Sequence, residues 1–69
     1  MIEVFKTNVQ KVEQSEMIVE KLLKHFPNSA INFDLEDCDK ILRIHSLSIS
    51  SRKIIAILKA NGFYCEVLT

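Results

Sequence analysis

Apolar and polar residues alternate without a break along Ile31-Asn32-Phe33-Asp34-Leu35-Glu36, which predicts a strand with one buried and one wet face. Its partner is Ile41 to Leu47, reached through the polar turn Asp37-Cys38-Asp39-Lys40. Ile2 to Thr7, rich in β-formers, and Phe63 to Leu68 predict the first and last strands. Between them the period changes. Val12, Val19, Leu22, Leu23 and Phe26 share one face at helical spacing, and Pro27-Asn28 stops that helix. Asn8 would cap an early start of it and Ser15 a late one. The second helix is better marked: Ser50 is its N-cap, Ile54, Ile57 and Leu58 form its buried stripe, and Asn61-Gly62 ends it.

The order β-α-β-β-α-β with right-handed crossovers predicts an α+β, ferredoxin-like domain spanning residues 1–69. Its antiparallel sheet has four strands in the order 4-1-3-2, with both helices on one face. Phe33, Leu35, Leu42, Ile44, Phe63 and Val67 then point to the helices. Ile2, Val4, Ile41, Tyr64 and Leu68 fall on the uncovered face, a candidate surface for a protein partner or for self-association. Asn32, Asp34, Arg43 and His45 make the other half of that face polar.

Composition narrows the function. With 48% hydrophobic residues and a single Gly and Pro, the chain is a dense domain rather than a linker. Nine basic and nine acidic residues cancel, which argues against a nucleic-acid partner held by phosphate neutralisation and leaves little repulsion between copies. No apolar run approaches the roughly 18 residues of a membrane span, so no membrane partner is expected. Ile2 to Lys6 is too short and too charged for a signal-peptide core, and Cys38 and Cys65 stand far apart. A cytoplasmic protein with reduced thiols is the expectation.

Candidate chemistry is sparse. No Ser/His/Asp or Cys/His set has a workable geometry, and one glycine rules out a glycine-rich phosphate loop, so no enzyme is expected. A small acyl-phosphate hydrolase on the same scaffold would need an arginine-containing glycine loop that this chain lacks. The strand Lys40 to His45 offers none of the stacking aromatics of RNA-binding sheets. In the 4-1-3-2 order Cys38 and Cys65 lie about three strand spacings, roughly 14 Å, apart, beyond the roughly 7 Å reach of a disulfide. Cys65 shares its phase with Phe63 and Val67 and is read as core, whereas Cys38 sits exposed between Asp37 and Asp39. The acidic residues of that hairpin have neither the spacing nor the glycine of a calcium loop. Ser50, Ser51, Arg52 and Lys53 gather hydroxyls and positive charge at a helix N-terminus, a candidate anion site, with plain serine capping as the simpler reading.

Several stretches resemble heavy-metal-associated domains, the family of small copper chaperones and metal-pump modules. They are Phe5-Lys6-Thr7-Asn8-Val9, Phe26-Pro27-Asn28, Phe33-Asp34-Leu35-Glu36, and the run from Ile54 through Gly62-Phe63 to Cys65-Glu66-Val67. The resemblance implies the ferredoxin-like fold and a metal held by a C-x-x-C pair between the first strand and first helix. Here that stretch, Val9 to Ile18, contains neither Cys nor His. The motif positions fall on Lys11 and Gln14, or on Ser15 and Ile18, depending on the alignment. A thiolate pair is therefore missing, and no metal ligand or cofactor carries over. The expected function is a non-catalytic binding or assembly domain that keeps the scaffold without the metal site. The alternative is a heavy-metal protein with unconventional ligands, such as Cys38 shared between subunits.

Overall fold

The computed structural model describes residues 1–68. β1 (Ile2–Thr7) leads into α1 (Val12–His25), β2 (Ala30–Asp34), β3 (Ile41–His45), α2 (Ser51–Ala60) and β4 (Cys65–Val67). The strands form one antiparallel sheet in the order β2-β3-β1-β4, so the fold is α+β and ferredoxin-like, as the sequence predicts. α1 packs over β2 and α2 over β4.

Register decides which side chains meet. Phe5 lies opposite Leu42 on β3 and Val67 on β4, and Leu42 lies opposite Phe33 on β2. That row faces the helices. Phe5, Leu42 and Ile44 are sealed there by Ile18 and Leu22 of α1 and by Ile54 and Leu58 of α2. In a chain this small, these few side chains supply most of the hydrophobic stabilisation, at about 1.5–3 kcal/mol each. Asn61-Gly62 ends α2 as expected: Gly62 takes φ +87°, and the N–H of Phe63 reaches back to the Leu58 carbonyl.

Helix α1 departs from the sequence reading in start and in phase. Neither Asn8 nor Ser15 caps it; Lys11 does, a residue with no side-chain acceptor to offer. Gln14 compensates by reaching back, its Oε1 accepting from the N–H of Lys11 at 3.2 Å. The buried stripe is Ser15, Ile18 and Leu22, while Val12 and Leu23 are exposed. Ser15 tolerates burial because its hydroxyl donates to the Val12 carbonyl at 2.7 Å, satisfying it within the helix. An apolar count weights Val12 and Leu23 over Ser15, and so rotates the stripe onto the helix flank. β2 begins one residue earlier than the alternation suggests and stops at Asp34, β3 stops at His45, and β4 is confined to Cys65–Val67.

Candidate functional site

The uncovered sheet face carries the residues singled out as an interaction surface, in a different arrangement from the one expected. Ile2 (62% exposed) and Leu68 (45%) stand open, and Val4 beside them is half-buried. The N–H of Leu68 donates to the Val4 carbonyl at 2.9 Å, extending the β1–β4 register beyond the strand. These three form one apolar corner. Tyr64 is exposed too, but Lys6 and Glu66, paired directly across the two strands, separate it from that corner. Its phenol titrates above its ordinary value, chiefly through hydrogen bonding to the Glu66 carboxylate.

Ile41 is a correction: it is only 5% exposed. It lies on the interior strand β3 opposite Asp34. On the same face Lys6 pairs with Asp39 and Arg43 with Asp34, each at 3.7 Å. The rest of the face is polar as read. Arg43 Nη1 reaches Asn32 Oδ1 at 3.5 Å, and His45 sits between Ala30 and Ile2. Lys6 and Arg43 balance Asp34 and Glu66, so this surface is charged without a net sign.

At the junction of β1 and α1, every feature closes the chain down. Thr7 is buried, and its Oγ1 donates to the Lys40 carbonyl at 2.6 Å and accepts from the N–H of Val9 at 3.2 Å. Val9 is fully buried in the core. Asn8 Oδ1 accepts from the N–H of Tyr64 at 2.8 Å, tying the junction to β4. At the motif positions Gln14 is committed to the helix start, Ser15 to Val12 and Ile18 to the core, while Lys11 is exposed. Their donor set, one amine, one amide and one hydroxyl, does not fit a soft metal ion, which favours sulfur ligands. Sequence reasoning missed this anchoring. Its one available signal was the phase of Thr7 and Val9 with Phe5.

The hairpin brings the ligand atoms of Asp37, Cys38 and Asp39 within 4.8 Å of one another. The turn itself uses them: Asp37 Oδ1 accepts from the N–H of Asp39 at 2.9 Å, and Asp39 pairs with Lys6. Lys40 follows with φ +47°, a left-handed residue without glycine, its Nζ donating to the Leu35 carbonyl at 2.8 Å. Cys38 is exposed and Cys65 buried, and both are free thiols. Burial, helped by the charge of Glu66, pushes the Cys65 thiol up to about 12, so it stays protonated at neutral pH and behaves as a small apolar residue.

At α2, Ser50 accepts from the N–H of Lys53 at 3.3 Å, the expected cap. The Ser51 hydroxyl donates to Glu3 Oε1 at 2.8 Å. α2 has no acidic residue of its own in its first turn, and β1 supplies one. The position a bound anion would take beside Ser51 thus already holds a carboxylate of the chain. Lys53 instead lines the cleft between the helices with Lys21, Lys24 and His25. The His25 ring lies 3.1 Å from the Lys21 carbonyl, consistent with its place at the end of α1.

Among the described residues, no helix is long and apolar enough to cross a membrane. No protein-family model, no characterised protein and no solved structure gives a significant match to this chain.

Proposed function

We propose that this chain is a non-catalytic association domain, built on a metal-chaperone-like scaffold without the metal site, that joins a second copy through its open sheet face. One observation carries the reading: Ile2 and Leu68 stand exposed beside Val4 on the sheet face opposite the helices. The balanced charges around that corner suit a second copy of the same face, since a two-fold contact can set Lys6 and Arg43 against the partner's acidic groups. Zero net charge offers no long-range repulsion.

Magnitudes set the affinity class. Burying a few hundred Å² at about 25 cal/mol per Å² yields several kcal/mol. Association entropy opposes this with an estimated 4–15 kcal/mol. The two magnitudes nearly cancel, so the contact is weak and the dimer forms only at high protein concentration. Amide chemical shifts followed through serial dilution test it. Concentration-dependent shifts confined to residues 2–4, 43–45 and 66–68 support the sheet face, and shifts confined to the helices refute it. The alternative of a heavy-metal protein has its own experiment: Cu(I) added to reduced protein against a competing chelator. The proposal expects no stoichiometric binding; tight binding lost in Cys38→Ser would establish the metal reading instead.

A further inference from the structure

The zero net charge of the chain hides a strong local sign. α2 carries Arg52, Lys53 and Lys59 and no acidic residue. β1 and β3 run antiparallel, so the helices that follow them do too, and the last turn of α1 meets the first turn of α2. Lys24 and His25 from the one and Lys53 from the other, with Lys21 one turn before His25, line a cleft of about 490 Å³ between the helices. Among the described residues no carboxylate lines it.

Neighbouring acids do not neutralise these cations. Among the described residues, ion pairs form at Lys6–Asp39 and Arg43–Asp34 and none at Lys21, Lys24 or Lys53. Glu16 and Glu20 line a separate groove on the other flank of α1, and Glu3 is held by the Ser51 hydroxyl. Lys24 and His25 suit the negative end of the α1 dipole, but Lys53 stands at the positive end of α2, where its charge is unfavourable. Helix stability does not account for a cation there.

Along α2 the lining passes from Lys53 through Ala56 and Ile57 to Ala60, roughly 10 Å of helix. Past the cation this lining is apolar, and Asn61 at its far end spends its amide on the Ile57 carbonyl at 2.7 Å. The volume falls within the about 300–1,000 Å³ of small-molecule sites. A nucleic acid is held by phosphate neutralisation and gains nothing from an apolar floor. We infer that the cleft between α1 and α2 binds a small organic anion, a carboxylate or phosphate joined to a compact apolar group. Its head takes charge-assisted hydrogen bonds from Lys21, Lys24 and Lys53, and its apolar part lies on Ile57 and Ala60. The cleft is on the helical side of the molecule, away from the open sheet face, so the inference does not rest on association.

Octyl phosphate, kept below the concentration at which it forms micelles, is the direct probe, with inorganic phosphate and octylammonium as controls. It is expected to shift the amide signals of residues 21–25 and 53–61 saturably and to leave residues 2–4 unchanged. Each control is expected to bind about tenfold more weakly or worse. The Lys24→Gln, Lys53→Gln variant changes exposed side chains, keeps its fold by circular dichroism and loses about tenfold in affinity for octyl phosphate. Inorganic phosphate binding as well as octyl phosphate would reduce the cleft to ordinary surface lysines, and octylammonium binding as well would remove the charge selection. Either result overturns the proposal, as does the absence of a saturable shift or an undiminished affinity in the variant. Vesicles of phosphatidylglycerol are expected to leave the protein free. Capture by them without a response to octyl phosphate would assign the cations to a membrane surface and overturn it too.

Discussion

The junction between β1 and α1 and the corner formed by Ile2, Val4 and Leu68 lie at opposite ends of β1 and are opposite in character. At the junction Thr7 bridges to Lys40, Asn8 to Tyr64, and Val9 is sealed in the core. At the corner Ile2 and Leu68 touch little and face solvent. The link from the first strand to the first helix is given over to stability. The side chains exposed at the corner are apolar, the kind of surface that gains free energy by leaving water.

The sharpest way to break this contrast is to charge the junction. Val9→Asp buries a carboxylate with no partner, at a cost of about 3–5 kcal/mol, most of the stability available to so small a domain. Urea denaturation should find it largely unfolded; a near-native midpoint would mean the junction is open. Thr7→Val keeps the shape and removes the bridging hydroxyl, orphaning the Val9 N–H and one bond to the Lys40 carbonyl. The expected loss is about 1–3 kcal/mol, again from the denaturation midpoint.

Cys65 sharpens the comparison through pH. Its folded pKa, about 12, lies above the ordinary value of 9.0. Folded and unfolded chains are both protonated there at neutral pH, so its contribution is intact below about 9. Above that, the unfolded chain ionises first and stability falls progressively as pH rises towards 12. Cys65→Ala should show a shallower decline over that range; an unchanged slope would mean the thiol is solvated when folded. Consistent with this, a bulky thiol reagent should modify Cys38 at once and Cys65 only on unfolding.

Most of the fold was legible because strand alternation, the Ser50 cap and the Asn61-Gly62 stop are local signals that tertiary packing had no reason to override. α1 was misphased because its buried serine satisfies itself inside the helix, a bond that hydrophobicity cannot reveal. The surface was half legible. Ile2, Leu68 and Ile41 all lie on the face their period assigns, but Ile41 is buried there, on an interior strand whose neighbours depend on the register between strands. The anchoring of Asn8 by a residue 56 positions away had no sequence signature at all.

The smallest effect on stability belongs to the surface corner, and it bears most directly on function. Ile2→Lys with Leu68→Lys changes exposed positions, each expected to alter folding stability by about 0.5 kcal/mol or less. Sedimentation equilibrium over a wide concentration range, on the unaltered protein and on this double variant, is the deciding measurement. The account predicts that the apparent mass of the unaltered protein rises towards a dimer with concentration and that the folded variant stays monomeric. An unaltered protein that remains monomeric throughout, or a variant that associates as well as its parent, would contradict it.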